Sequence, residues 1–202
     1  IDGVTLGDHI FKRKEIIQSL EKSDRIVKPA NYPESAPGRK WTLIKRSGRR
    51  PLAIVSIMGR VFMRPVDCPF AALDQVLAEI EPHTDQILVD VHAEATSDKQ
   101  CLGRYLDGRV TAVLGTHTHV PTADTCLLPN RTAFQCDVGM CGPYESIIGR
   151  DIERVTHTTR TAEPCHFHVA TDDVRLCGAI VESDNEGRAV KIERFEKRVI
   201  VN

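Results

Sequence analysis

The sequence has almost no net charge and no long apolar run. Its 27 Lys and Arg residues nearly balance 28 Asp and Glu residues, for a formal net charge of −1. Composition therefore gives no reason to expect binding to nucleic acid or to a membrane surface. No apolar run approaches the roughly 18 residues that a membrane-spanning helix needs. The amino terminus also lacks the pattern of a signal peptide.

The cysteines lack the spacing of a metal knuckle or a disulfide framework. There are seven, an odd number, and no two form a C-x-x-C pair. This pattern is more typical of reduced thiols in the cytoplasm, so we expect a cytoplasmic protein. The 202 residues, 41% hydrophobic and 27% charged, are enough for one domain with a sizeable core.

Helical and strand patterns alternate through the first two-thirds of the chain, and the last third is mostly β. Apolar periodicity predicts helices at 12–22, 69–80, 98–106 and 150–160. Strands are predicted at 1–6, 26–27, 41–45, 52–57, 86–91, 110–114, 133–138, 166–170, 175–182 and 189–195. Asp67 is a candidate cap for the helix that starts at Pro69. The pattern favours a layered α/β fold with a mixed sheet.

Two histidines, His117 and His119, follow the apolar run Val110 to Leu114. If that run is a strand, residues two apart point to the same side, and both rings can reach one point. Neutral imidazole is the commonest side-chain metal ligand, and α/β proteins place ligands at strand ends. A pair of polar residues at a solvent-facing strand end is the alternative.

Two further strand ends carry similar side chains. Asp8 and His9 follow the first predicted strand, and His92 follows the strand at 86–91. Strands of an open α/β sheet deliver their carboxyl ends to one edge, so we expect these groups to converge. Imidazole and carboxylate donors suit zinc, iron or manganese and disfavour calcium or magnesium. A pair of such ions ~3.5–4 Å apart can clamp a phosphate and generate hydroxide at neutral pH.

Longer motifs carry a family resemblance that runs from Ile1 almost to the end of the chain. The matching segments are 5–9, 28–33, 59–62, 90–97, 115–120 and 137–143. The chain resembles the bacterial YmdB-like branch of the calcineurin-like metallophosphoesterases. The resemblance implies a layered α-β-β-α sandwich with mixed sheets, and hydrolysis of small 2′,3′-cyclic nucleotides to nucleoside monophosphates.

The resemblance also implies roles for individual residues. Asp8, His92, His117 and His119 match positions that bind two divalent transition-metal ions, iron or manganese, with zinc as an alternative. His9 matches the histidine that gives a proton to the leaving oxygen. The chemistry is consistent, because hydroxide held by metal can attack phosphorus in line while a nearby acid protonates the departing ribose oxygen.

Two departures from the family pattern affect these expectations. Asp8 stands where the family has an asparagine, and a carboxylate adds a negative charge to the site. We also find no counterpart of the family's opening segment, which carries further acidic metal ligands. We therefore expect a single domain over 1–202 that is incomplete at its amino terminus. A catalytically impaired binding or regulatory protein stays open as the alternative, as does a homo-oligomer.

Several other residues lie in or near the matched motifs. Glu94 is predicted to orient a metal-bound imidazole, with helix capping as the alternative. Arg60 is a candidate phosphate contact, although a surface salt bridge is the ordinary role of such a residue. Gly139 and Gly142 are predicted to let the backbone approach the site closely.

Other histidines and cysteines are given no role in the site. His166 and His168 form a second H-x-H pair, but they lie outside the matched motifs and are predicted to be structural or exposed. Cys136 and Cys141 are predicted to be ordinary buried thiols.

Overall fold

The structure is a computed structural model that describes residues 1–199. Its helices are α1 (Ile16–Lys22), α2 (Pro69–Ile80), α3 (Thr96–Tyr105) and α4 (Ile152–Thr161). Its strands are β1 (Val4–Thr5), β2 (Ile26–Val27), β3 (Trp41–Ile44), β4 (Leu52–Met58), β5 (Ile87–His92), β6 (Ala112–Thr116), β7 (Cys126–Leu127), β8 (Ala133–Gln135), β9 (Gly142–Pro143), β10 (Val174–Ser183) and β11 (Ala189–Arg198).

A six-stranded mixed sheet forms the centre of the molecule, in the order β3-β4-β5-β6-β8-β7. Strands β4, β5, β6 and β8 run parallel, while the edge strands β3 and β7 are antiparallel to their neighbours. A second sheet has the order β11-β10-β9, and β1 pairs with β2 in a small parallel sheet. The predicted α/β class with a mixed sheet is confirmed.

One face of the large sheet packs against α2 and α3. Val89 and Val91 of β5 face Leu73 and Ile80 of α2, together with Leu102 of α3, in one buried cluster. Because strand residues alternate between faces, Asp90 and His92 point to the opposite side. The same alternation that builds the core therefore sets the side on which the candidate ligands lie.

The opposite face is covered in part by the β10–β11 hairpin. Leu88 of β5 and Leu114 of β6 pack there against Val181 and Ile192 of the hairpin. The hairpin residues pair in an antiparallel register from Arg175 to Ser183. A second β-layer thus lies on the side of the sheet to which Asp90 and His92 point.

The small β1–β2 sheet is attached to the end of β4 by a few specific hydrogen bonds. The Ser56 hydroxyl donates to the Leu6 carbonyl at 2.7 Å, and the Ala30 amide donates to the Ser56 carbonyl at 2.7 Å. The buried Asn31 side chain bonds the Met58 amide and carbonyl, each at 2.9 Å. These contacts bring the loop after β1 to the carboxyl ends of the parallel strands.

Most predicted elements are present, and the differences have local causes. The strand predicted at 166–170 is wrong, because only an isolated bridge between Arg150 and Val169 forms there. Asp67 is wrong as the cap of α2, because Cys68 holds the position before Pro69 and no side chain caps that helix. Strands β7 and β9, of two residues each, were not predicted.

All seven cysteines are free thiols. Cys136 is buried as predicted, whereas Cys141 is exposed, so the prediction of a buried thiol is wrong there. Within residues 1–199, no helix has the length and apolarity needed to cross a membrane.

Candidate metal centre

The candidate site lies at the carboxyl edge of the parallel strands. His92 ends β5 and pairs with Met58 of β4 on one side and Thr116 of β6 on the other. His117 is the first residue after β6. Asp8 enters from the loop after β1. Three segments that are far apart in the sequence therefore meet at one edge, as the strand-end pattern predicts.

Asp8, His92 and His117 bring one potential ligand atom each to a common point. His92 Nε2 lies 3.0 Å from Asp8 Oδ1 and 3.1 Å from His117 Nδ1. His117 Nδ1 lies 3.8 Å from Asp8 Oδ1. All three atoms fall within 4.8 Å of one another.

The tautomer of His92 is set by a hydrogen-bonded chain below the site. The Thr116 hydroxyl donates to Asp90 Oδ1 at 2.7 Å. Its oxygen must then accept from His92 Nδ1, which is 2.9 Å away. With the proton on Nδ1, His92 Nε2 presents a lone pair to the site, the arrangement typical of metal-bound histidines. Burial raises the pKa of Asp90, although the hydrogen bonds from Thr5 and Thr116 act to lower it.

Glu94 acts on His117 in a similar way. Its Oε2 lies 3.1 Å from His117 Nε2, so that nitrogen is the donor and Nδ1 keeps its lone pair. Glu94 therefore contacts an imidazole of the site, as predicted. It does not cap α3, because Ala95 holds the N-cap position and no side chain bonds the first turn.

The donor set fits a divalent transition metal. One carboxylate oxygen and two imidazole lone pairs face each other without a proton to share between them, so a cation between them would relieve their repulsion. Two nitrogens and one oxygen form a ligand set suited to zinc, iron or manganese.

His9 lies beside the site rather than in it. Its Nε2 is 3.6 Å from Asp8 Oδ2, the oxygen that points away from the imidazole cluster, and 73% of its side chain is exposed. The geometry places a histidine at the open side of Asp8, where an incoming ligand can reach it.

The structure does not bring His119 to the same point as His117. The His119 ring bonds the Ile148 carbonyl through Nδ1 at 3.0 Å. The same-side argument does not apply, because β6 ends at Thr116 and strand alternation stops there. Both histidines have left-handed backbone angles, φ 94° at His117 and 68° at His119, which turn the two side chains apart. The role of His119 as a metal ligand stays a prediction.

A buried ion pair, missed by the sequence reasoning, holds the loop between these histidines. Lys99 Nζ donates to Asp137 Oδ2 at 2.9 Å, and both side chains are at most 2% exposed. The same oxygen accepts the Thr118 amide at 3.0 Å and the Thr118 hydroxyl at 2.7 Å. Asp137 thereby holds Thr118 in place between His117 and His119, the two histidines with left-handed backbone angles.

The remaining predictions around the site have mixed outcomes. The Arg60 amide donates to Asp98 Oδ2 at 2.8 Å, and the role of Arg60 as a phosphate contact stays a prediction. A Cβ at Gly139 would lie 2.9 Å from the Tyr144 hydroxyl, and its φ of +84° favours glycine. Gly142 is a correction, because a Cβ there would meet nothing within 4 Å. His166 and His168 are exposed, as predicted.

The fold and the donor set together define a mixed α/β protein with a candidate metal centre at the edge of its sheet. The chain belongs to the YmdB-like protein family, whose profile matches residues 1–195. This confirms the resemblance seen in the sequence motifs.

Two kinds of relatives agree with this assignment. The chain is 44% identical over 195 residues to the 2′,3′-cyclic-nucleotide 2′-phosphodiesterase of Bacillus subtilis. The aligned region covers 96% of this chain and 74% of that relative. It matches the crystal structure of a hypothetical protein from Thermus thermophilus with a TM-score of 0.90 and 43% identity, over 98% of this chain and 77% of that one. A phosphatase from Mycoplasma pneumoniae matches with a TM-score of 0.88 and 29% identity, over 98% and 72%.

Replacing Asp8 by asparagine tests the carboxylate that departs from the family pattern. Asparagine keeps an oxygen ligand but removes a negative charge beside His92. We expect the affinity for Mn²⁺ to fall about 10-fold, because ligand charge tunes metal affinity. Isothermal titration calorimetry measures this. Asp172→Asn, at an exposed position, is the control and should bind as the wild type does; equal affinities for all three proteins would show that the charge of Asp8 does not contribute to metal binding.

Proposed function

We propose that the protein hydrolyses 2′,3′-cyclic nucleotides to nucleoside monophosphates in a metal-dependent reaction. The observation that carries the proposal is the convergence of Asp8, His92 and His117 in a chain that is 44% identical to a phosphodiesterase of that name. The non-catalytic alternative gains no support from the named relatives.

The proposed cofactors are two divalent transition-metal ions, iron or manganese, with zinc as an alternative. Asp8, His92 and His117 would hold one ion through Oδ1, Nε2 and Nδ1, and His119 is the candidate ligand for the second. When bound, such ions supply a nucleophile at neutral pH and neutralise charge on the phosphate. The role of the Thr116–Asp90 chain and of Glu94 is to keep the two ligating nitrogens unprotonated and correctly turned.

His9 is the proposed proton donor. Water adds to phosphorus, the bond between phosphorus and one ribose oxygen breaks, and the departing oxygen takes a proton from the imidazole. An acid for this step must be within reach of the leaving oxygen. The exposure of His9 and its position beside the outer oxygen of Asp8 support this role.

The proposal is tested by metal replacement. Protein depleted with a chelator is assayed on 2′,3′-cyclic AMP after addition of Mn²⁺, Fe²⁺, Zn²⁺, Mg²⁺ or Ca²⁺. We expect hydrolysis to return with the transition metals and not with Ca²⁺, because imidazole donors disfavour calcium. Product release is followed by chromatography.

A control variant is compared with the wild-type protein in the same metal series. His83→Ala removes an exposed histidine that precedes β5, at the opposite end of that strand from His92, and should show the same metal dependence as the wild type. Hydrolysis that survives complete metal removal, or that returns with no ion, would contradict the proposal.

A further inference from the structure

Phe62 is an aromatic residue that the fold leaves in solvent. The residue is 88% exposed, the highest exposure of any large hydrophobic residue within the described sequence apart from Ile1. Its backbone has φ +60°, a left-handed conformation that is an outlier for a bulky residue. An exposed aromatic held in an unfavourable conformation has no role in the core and suggests a ligand contact.

The loop that carries Phe62 is fixed to the edge of the sheet that holds His92. The Gly59 amide donates to the His92 carbonyl at 3.0 Å. Asp98 Oδ2 then accepts the amides of Arg60 and Val61 at 2.8 and 2.9 Å. The loop therefore leaves the sheet beside the metal ligand, and its backbone is held directly before Phe62.

Close packing also restricts this loop. A Cβ at Gly59 would lie 2.5 Å from Ala93 Cβ and 2.7 Å from Asp98 Oδ2. Phe62 lies four residues beyond Met58, which pairs with His92, so the intervening chain spans at most ~14 Å. Phe62 is therefore near the edge of the sheet at which the candidate ligands converge.

We propose that the Phe62 ring stacks on the nucleobase of the cyclic nucleotide. This inference rests on the proposed function and adds the group that binds the base. A phosphate bound beside His92 and His117 leaves its nucleoside to extend along the rim, and the exposed ring offers a flat apolar face. Stacking accepts any base but favours purines, whose larger rings cover more of the aromatic surface.

The test compares Phe62→Ala and Phe62→Tyr on three substrates: 2′,3′-cyclic AMP, 2′,3′-cyclic CMP and glycerol 1,2-cyclic phosphate, which has no base. For Phe62→Ala we expect kcat/KM on cyclic AMP to fall about 10-fold to 100-fold, the range of a lost base–aromatic stack. The loss should be smaller on cyclic CMP and absent on the glycerol ester. Phe62→Tyr keeps a flat ring and should retain most of the activity on both nucleotides.

The controls separate the possible failures. Ile180→Ala, at another exposed apolar residue, should leave all three rates unchanged. An equal loss on all three substrates, or a change in sedimentation that shows Phe62 in a contact between copies of the chain, would overturn the stacking role while leaving the phosphodiesterase proposal intact. A wild-type protein that cleaves none of the substrates would reject the proposed function, and the stacking role with it.

Discussion

Replacing Gly7 by alanine is expected to lower the affinity for Mn²⁺ and the rate of hydrolysis about 100-fold, because a displacement of about 1 Å at a reacting centre has that effect. Gly7 lies directly against the His92 imidazole: a Cβ there would stand 2.3 Å from Nε2 and 2.4 Å from Cδ2. The ring cannot move aside freely, since Thr116 holds its Nδ1 at 2.9 Å and Asp8 faces its Nε2 at 3.0 Å. The added methyl must therefore turn His92 Nε2, the candidate metal-binding nitrogen, away from the site.

Calorimetry with Mn²⁺ and an assay on 2′,3′-cyclic AMP measure the two effects. Gly178→Ala is the matched control, because a Cβ at Gly178 meets nothing within 4 Å; it should bind and react as the wild type does. Normal metal binding by Gly7→Ala would contradict the predicted clash with the His92 ring, since the imidazole would then have room that the structure does not show.

Replacing Lys99 by methionine is expected to lower the free energy of unfolding by about 3–5 kcal/mol, the cost of leaving one partner of a buried ion pair unpaired. Methionine fills a similar volume but leaves the Asp137 carboxylate in a site that is 1% exposed. That carboxylate also holds the amide and hydroxyl of Thr118. We therefore expect the His117 loop to lose its support, with weaker metal binding in the fraction that stays folded.

Urea denaturation measures the change in stability. Lys191→Met is the control, because Lys191 pairs with Glu193 at 2.9 Å while both side chains are about half exposed; such a pair contributes only about 0–1 kcal/mol. A double variant, Lys99→Met with Asp137→Asn, should recover part of the loss by removing the unpaired charge. Equal stability of Lys99→Met and Lys191→Met would refute the role of the buried pair.

The sequence was informative about strands and their ends. Apolar runs bounded by polar residues identify buried parallel strands, and this located His92 at the end of β5 and Asp8 after β1. Since parallel strands share a carboxyl edge, the convergence of His92 and His117 followed from topology, whereas Asp8 arrives from the separate β1–β2 sheet.

The sequence was less informative about the loops. The left-handed backbone at His117 and His119 depends on the anchor at Asp137, and no periodicity reveals which helix lysine reaches that carboxylate. Lys99 reads as an ordinary polar position on α3, yet tertiary packing buries it completely. Separation of the His119 ring from the cluster is therefore a consequence of long-range contacts that local patterns do not encode.

The three clustered candidate ligands belong to two different sheets. Asp8 follows the small β1–β2 sheet, whereas His92 and His117 lie on the six-stranded sheet. An ion held by all three would cross-link the two sheets at a junction otherwise made by contacts such as Ser56 with Leu6. Binding free energy at such a junction becomes folding free energy, so a metal ion held by these three atoms would also control how firmly the β1–β2 sheet stays attached.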